Sequence, residues 1–328
     1  MNQPPVTVCV AAYNGELYIR QALDSALAQT YPCMEVVVVN DGSTDSTPRI
    51  LAEYGGHIRW FTQPNAGQAS ARNLAVSHAR SEWVAMLDQD DLWEPHKLHA
   101  LFNCAATAAD VIYSDSRRID AEGRVICDRM RHRQAKPHAT LLHLIQGNPI
   151  VMSTALVKKA AILEVGGFDE VNRYGSDDYQ LWLRLAASGH RFHYVDRPLA
   201  SYRVHDANAS LDGLRMRDGG FYALTRVAQE YPHAFGRAEK LALRRAFHSL
   251  DFNAGWYLYD RAKYARAFRY FARALQHEPF TPKCWLYLAA MSLPFRRHVL
   301  PTLRAVWGTT RNALKPRDGK NGRAAARR

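Results

Sequence analysis

The strongest constraint on the fold is the alternation of short apolar runs with helical patterns along the N-terminal third of the chain. The runs are rich in β-branched residues and too short for helices, which is typical of buried strands. They lie at residues 6–12, 35–40, 58–61 and 82–87, and helical patterns follow them. This β-α alternation predicts an α/β fold with a mostly parallel sheet and helices on both faces.

Polar side chains follow each predicted strand. They are Tyr13-Asn14, Asn40-Asp41, Asn65 and Asp88-Gln89-Asp90. In open α/β sheets, ligands bind in the crevice outside the carboxyl ends of the strands. We therefore expect a single polar crevice at this edge of the sheet.

The most acidic of these strand ends reads Asp88-Gln89-Asp90-Asp91. In an extended chain Asp88 and Asp90 point to the same side, where their charges repel each other unless a cation or water lies between them. Carboxylate oxygens suit Mg²⁺ or Mn²⁺. These residues alone leave a second interpretation open: Asp91 or a neighbour starts the next helix, with Pro95 in its first turn.

The net charge of +12 is unevenly distributed. From residue 295 onward there are ten Lys or Arg and one Asp, so residues 1–294 carry 33 basic and 30 acidic side chains. The basic character thus belongs mainly to the C-terminal tail, and it does not indicate a main domain that binds nucleic acid.

Cysteine spacing and the N-terminus indicate a cytoplasmic protein. The five cysteines form no C-x-x-C pair, which favours free thiols over a disulfide framework or a zinc site. The first residues lack the basic region of a secretory signal. No uncharged apolar run is long enough to span a membrane.

Phosphate-binding glycine loops are absent from the sequence. It contains neither G-x-G-x-x-G nor G-x-x-x-x-G-K-[ST], which disfavours a dinucleotide dehydrogenase and a P-loop NTPase. A nucleotide diphosphate bound to this sheet would need a metal to neutralise it, which adds weight to Asp88 and Asp90 as a metal site.

Two further groups of polar residues come later in the chain. Asp177-Asp178 stands at the head of a predicted helix, where simple compensation of the helix dipole is the alternative to catalysis. Arg203 can bind phosphate, and His205 can bind a metal or phosphate. The alternative for these two is a loop with a surface histidine.

Several motifs, taken in order, resemble the inverting glycosyltransferases of family 2, which have the GT-A fold. The resemblance covers residues 6–210. It rests on Val8-Cys9-Val10-Ala11-Ala12-Tyr13-Asn14, Val39-Asn40-Asp41-Gly42-Ser43-Thr44-Asp45, Asn65-Ala66-Gly67 with Ala71-Arg72-Asn73, Leu87-Asp88-Gln89-Asp90-Asp91, Gly166-Gly167-Phe168-Asp169-Glu170 and Asp177-Asp178-Tyr179-Gln180-Leu181-Trp182.

The resemblance implies a role for each matched residue. It makes Asp178 the catalytic base, and it makes Asp90 and His205 the metal ligands. The residues that would bind the donor are Tyr13, Glu16, Asp41, Arg72, Asp88 and Arg203. Asp177 stands where the family more often has Glu, and Ala11-Ala12 replaces a frequent Ile-Pro or Thr-Pro, which leaves the nucleotide base open.

The implied function is non-processive, inverting transfer of a sugar in surface polysaccharide synthesis. The expected donor is a UDP- or dTDP-sugar with Mn²⁺ or Mg²⁺, and the expected acceptor is a saccharide or a lipid-linked saccharide. A sugar-nucleotide nucleotidyltransferase ranks below this, because the loop Ala12-Tyr13-Asn14-Gly15-Glu16 lacks Lys and Arg. A scaffold that has lost activity is a further alternative.

We predict three regions: a GT-A domain at 1–212, a helical annex at 213–294 and a basic tail at 295–328. In the annex, Gly255, Leu258, Ala267, Phe271, Ala274 and Pro279 have the spacing of one tetratricopeptide-like helix pair, and an ordinary helical hairpin is the alternative. We expect the stretch 285–307 and the tail either to lie on an anionic membrane surface at the inner face of the cell membrane, or to form an ordinary packed helix followed by a solvated tail.

Overall fold

The computed structural model describes residues 4–32, 34–104, 109–130, 138–172 and 175–292. The predicted tail at 295–328 lies outside these residues, and so does most of the stretch 285–307.

A mixed sheet organises the first two thirds of the chain. Within the described residues its order is β3-β2-β1-β4-β8-β6-β9-β5, with β7 paired to β6. Strands β3, β2, β1 and β4 are mutually parallel, as are β6 and β9, while β8, β5 and β7 pair antiparallel. The strands are β1 (Val6–Ala12), β2 (Met34–Asn40), β3 (Arg59–Thr62), β4 (Trp83–Asp88), β5 (Leu92–Trp93), β6 (Val111–Ile119), β7 (Val125–Cys127), β8 (Leu156–Lys158) and β9 (Phe192–Arg203).

Helices cover both faces of this sheet, so the predicted fold class is confirmed. Alternate residues of β1 enter different cores: Val8 and Val10 pack with helices α1, α2 and α4, whereas Cys9 packs with α3, α6 and α7. The helices are α1 (Ile19–Leu27), α2 (Thr47–Glu53), α3 (Gln68–His78), α4 (Lys97–Cys104), α5 (Leu141–Ile145), α6 (Lys159–Glu164), α7 (Asp177–Ala187), α8 (Gly213–Glu230), α9 (Arg237–Asp260), α10 (Tyr264–His277) and α11 (Pro282–Ser292).

Some elements differ from the sequence-based expectation. The sequence predicts two strands at 192–195 and 199–203, but β9 is continuous, because register shifts against β6 near Asp115 accommodate the segment around Pro198. Residues 152–157 form a 3₁₀ turn at Met152–Thr154 followed by β8 rather than one strand. Asp91 does not start a helix: β5 follows it, and α4 begins at Lys97.

The C-terminal helices do not form one isolated unit. Ala223 and Leu224 of α8 and Ala242 of α9 lie in the same core as α5 and α7. The end of α9 packs with α10 and α11 in a separate core, where the ring of Phe271 lies against Gly255. The boundary at 212 and the tetratricopeptide-like character of this region stay predictions.

Gly42 fixes how the chain turns after β2. It has φ +69°, and a Cβ built on it would lie 2.7 Å from the backbone nitrogen of Asn65. An L side chain would therefore meet both backbone strain and a backbone contact that cannot rotate away.

We expect Gly42→Ala to lower the free energy of unfolding by about 1–3 kcal/mol. Gly56→Ala is the matched control, because Gly56 is exposed and nothing lies within 4 Å of its Cβ position. That control should change stability by less than about 0.5 kcal/mol in urea denaturation. Equal effects of the two substitutions would contradict the conformational role of Gly42.

Candidate active site

Hydrogen bonds join the loop after β1 to the ends of β2 and β4. The backbone N–H of Tyr13 donates to Oε1 of Gln89 at 2.9 Å, and Nε2 of Gln89 donates back to the Tyr13 carbonyl at 3.0 Å. The Tyr13 ring itself is about half exposed. The Glu16 carboxylate accepts the N–H of Ser46 at 2.9 Å, just before α2. Glu16 therefore holds two loops together.

Asp41 organises the segment after β3. Its carboxylate, which is buried, accepts bonds from Nε2 of Gln63 at 2.7 Å and from the backbone N–H groups of Ala66 and Gly67 at 2.9 Å. The predicted polar strand ends thus meet at one edge of the sheet.

Arg72 of α3 links the end of β4 to the start of α7. Its guanidinium, which is only 4% exposed, donates to Oδ1 of Asp88 at 2.6 Å and to Oδ2 of Asp177 at 2.5 Å. Its charge is held between two carboxylates, which raises its pKa further above the ordinary value. This bridge places the Asp88 region and the Asp177-Asp178 pair side by side.

Asp178 is the second residue of α7 and is partly exposed. Burial, together with the neighbouring charge of Asp177, raises its pKa to about 7. Burial also raises the pKa of Asp88, even though Arg72 opposes the shift. A carboxylate with a pKa near neutrality can both accept and release a proton under ordinary conditions.

Asn148 is a contact of Asp178 that the sequence does not indicate. Its Nδ2 donates to Oδ2 of Asp178 at 3.1 Å, while its Oδ1 accepts the N–H of Ile150 at 3.1 Å. The second bond fixes the orientation of the amide. No motif spacing connects positions 148 and 178, so only the fold could reveal this pair.

Asp90 and His205 meet, as the sequence-based assignment of a shared metal site requires. Nε2 of His205 lies 2.9 Å from Oδ2 of Asp90, and the imidazole stacks on Tyr18 with ring centroids 4.9 Å apart. In the described residues, no group of three or more His, Cys, Asp or Glu side chains is arranged to hold a metal. The carboxylate oxygen and imidazole nitrogen nevertheless form a donor pair of the kind that Mn²⁺ accepts.

Arg203 is placed differently from its sequence-based assignment. It is fully buried, and its guanidinium donates to the Asp90 carbonyl at 2.8 Å, to the Ala121 carbonyl at 3.0 Å and to Oε1 of Gln21 at 2.8 Å. These internal bonds use the groups that would contact a phosphate. The structure therefore gives Arg203 a role in positioning the acidic segment rather than in contacting the donor.

Asp91 is buried and links the acidic segment to two neighbouring elements. Its carboxylate accepts the hydroxyl of Ser153 at 2.6 Å and the backbone N–H of Arg203 at 2.9 Å. Burial and the charges of Asp90 and Asp88 raise its pKa well above the usual range. Through these bonds Asp91 ties the segment that carries Asp90 to the 3₁₀ turn at Ser153 and to β9.

The chain is similar to known proteins in sequence and in fold. The family described as "Glycosyl transferase family 2" matches residues 7–157. The succinoglycan biosynthesis protein ExoO of Rhizobium meliloti is 31% identical over 254 residues, which cover 70% of this chain and 72% of that protein. The chain belongs to glycosyl transferase family 2.

A second relative is the uncharacterized glycosyltransferase RT0329 of Rickettsia typhi. It is 34% identical over 217 residues, covering 63% of this chain and 66% of the relative. The chain therefore spans just under two thirds of that protein's length, and only 35% of a longer glycosyltransferase of Rickettsia felis.

A solved structure shows the same fold. The mannosyltransferase PcManGT from Pyrobaculum calidifontis, in complex with GDP-Man and Mn²⁺, aligns with a TM-score of 0.59 and 22% identity. The alignment covers 94% of this chain and 88% of that one. At this identity the likeness establishes the GT-A fold.

Among the helices in the described ranges, none combines the length and apolar character needed to cross a membrane.

We expect Arg72→Met to lower the free energy of unfolding by about 3–5 kcal/mol near neutral pH, because it leaves Asp88 and Asp177 without their shared cation. The loss should shrink as the pH falls, since Asp88, whose pKa is raised by burial, then takes up a proton and no longer needs a cation beside it. Urea denaturation at several pH values measures both effects.

Arg20→Met is the matched control. Arg20 also pairs with a carboxylate, that of Glu53, but both side chains are about half exposed. This control should leave the unfolding midpoint almost unchanged. A loss in Arg72→Met no larger than in the control would contradict the bridging role.

Proposed function

We propose that the protein transfers a sugar from a nucleotide-diphosphate sugar to a hydroxyl group of a saccharide acceptor, with inversion at the anomeric carbon. One observation carries this proposal: the bridge through Arg72 sets the partly exposed Asp178 beside Asp88 at the carboxyl edge of the parallel strands. A base and a donor-binding strand end then share one crevice.

The donor lies, in this proposal, across the ends of β1, β2 and β4. Tyr13 and Asp88 contact its base and ribose. Glu16 and Asp41 shape the surrounding loops, because their carboxylates are already bonded to backbone N–H groups. Arg72 acts by orienting Asp88.

Asp90 and His205 would hold a divalent metal next to the diphosphate. The fit rests on their 2.9 Å contact and on the nearby carboxylate of Asp88, whose charge, together with that of Asp90, raises the pKa of Asp91. When bound, Mn²⁺ or Mg²⁺ would neutralise charge on the departing diphosphate. Arg203 holds the Asp90 backbone so that its carboxylate stays in place.

Asp178 acts as the general base. It takes the proton of the acceptor hydroxyl while that oxygen attacks the anomeric carbon, and the nucleoside diphosphate leaves with the electrons of the broken bond. A single displacement from the face opposite the leaving group inverts the configuration. A pKa of about 7 suits this task, because the carboxylate is substantially ionised at neutral pH yet basic enough to accept the proton.

The biological setting that we propose is polysaccharide synthesis, in the cytoplasm or at the inner face of the cell membrane, with a saccharide or lipid-linked saccharide as acceptor. The succinoglycan relative and the GDP-Man complex support a saccharide product and a nucleotide-sugar donor. A screen of UDP-, dTDP- and GDP-sugars by thermal shift with Mn²⁺ would identify the donor, since a bound ligand raises the unfolding temperature.

We expect Asp178→Asn to reduce kcat about 10²–10⁴-fold while donor affinity stays nearly unchanged, because the amide cannot accept the proton. In the wild type, kcat should rise with pH through about 7, since the base works only when deprotonated. Asp206→Asn, at an exposed position, is the control and should leave both quantities unchanged. A parallel loss of donor affinity in Asp178→Asn would make Asp178 structural.

We expect Asp90→Asn to weaken metal-dependent donor binding at least about tenfold, because a neutral amide is a poorer ligand for a divalent cation. Isothermal titration with the donor, with and without Mn²⁺, measures the effect. The wild type should lose affinity when Mn²⁺ is removed, whereas the variant should respond weakly to Mn²⁺. Full Mn²⁺ dependence in the variant would exclude Asp90 as a ligand.

A further inference from the structure

A groove far from the acidic crevice along the chain lies between the start of α10 and the end of α11. Its volume is about 640 Å³. Its lining includes three basic residues, Lys263, Arg266 and Arg269, and the apolar residues Phe268 and Met291. The groove therefore combines positive charge with apolar surface.

Within the described residues, these three basic side chains are not paired with carboxylates. In the part of the chain that the structure describes, no carboxylate lies within ion-pair distance of Lys263, Arg266 or Arg269. Helix α10 contains no Asp or Glu at all. The three like charges repel one another. An anion bound in the groove would be attracted by all three and would relieve this repulsion.

Exposed apolar side chains lie on the same helical hairpin. Phe268 is 41% exposed at the groove, and Phe280 and Trp285 at the other end of the hairpin are 95% and 57% exposed. Aromatic rings next to basic side chains are typical of surfaces that dip into the headgroup region of a bilayer. A nucleic-acid surface would not require Phe280 to stand fully in solvent.

The direction of the chain favours the same partner. Ser292 lines the groove, and the sequence that follows it, 293–328, carries ten Lys or Arg and one Asp. A segment with this charge is repelled by the three cations, so it is a poor occupant of the groove. An anionic surface would instead attract both at once.

We propose that the groove and the α10–α11 hairpin are a docking site for anionic phospholipid headgroups, with Phe268 entering the interface between headgroups and acyl chains. This docking site does not include the residues proposed for sugar transfer, and vesicle binding can be measured without measuring transferase activity. If the proposed function also holds, docking would bring the crevice to acceptors carried by the membrane.

The test is co-sedimentation of the full-length protein with phosphatidylcholine vesicles and with mixed phosphatidylcholine–phosphatidylglycerol vesicles. We expect binding to the mixed vesicles only. The triple variant Lys263→Glu, Arg266→Glu, Arg269→Glu should weaken it roughly tenfold or more, because each basic residue near an anionic surface contributes to attraction. Phe268→Ala should weaken it roughly threefold without changing charge.

The matched control is Arg237→Glu, Lys240→Glu, Arg245→Glu on the exposed surface of α9. This control makes the same charge change on α9, at positions about 30 Å from the groove measured along the axis of α9. Retained binding in this control, with loss in the groove variants, supports the site. Equal loss in both triples, no loss in Phe268→Ala, or tighter groove-dependent binding to duplex DNA than to vesicles would each overturn the proposal.

Discussion

The double ion pair of Arg72 is the interaction on which the arrangement of the crevice depends. A guanidinium buried without partners would be costly, and so would two buried carboxylates. Placed 2.6 Å from Asp88 and 2.5 Å from Asp177, the cation satisfies both, and in doing so it fixes the end of a central strand to the first turn of α7. Because Asp178 is the next residue of α7, the position of this proposed base follows from the ion pair between Arg72 and Asp177.

Electrostatics then separates the carboxylates into different roles. Asp177 is paired with Arg72, Asp91 is bonded to Ser153 and to a backbone N–H, and Asp90 contacts His205. Asp178 remains partly exposed, with a pKa raised to about 7 by burial and by the charge of Asp177. Different environments thus give similar side chains different properties, and on these we base the proposed roles of Asp90 as a metal ligand and Asp178 as a base.

The sequence predicts the strands well, because buried strands need continuous β-branched runs, and β1 has the predicted bounds. It also predicts which strand ends meet, since parallel strands share one edge. It does not predict the Arg72–Asp177 contact, which joins residues 105 positions apart. Nor does it reveal that the guanidinium of Arg203 donates its hydrogen bonds to acceptors within the protein, such as the Asp90 carbonyl. The residue type shows what a side chain can bind but not what already surrounds it.

We propose that a single base, Asp178, supports a direct displacement in the crevice that the Arg72 ion pairs hold together. The anomeric configuration of the first product tests it most directly. Proton NMR, recorded on the first product formed from an α-linked sugar nucleotide, gives the coupling constant of the anomeric proton. This coupling reports the anomeric configuration. We expect a β-linked product. An α-linked product would contradict the proposed mechanism, because retention cannot arise from a single displacement on the face opposite the leaving group.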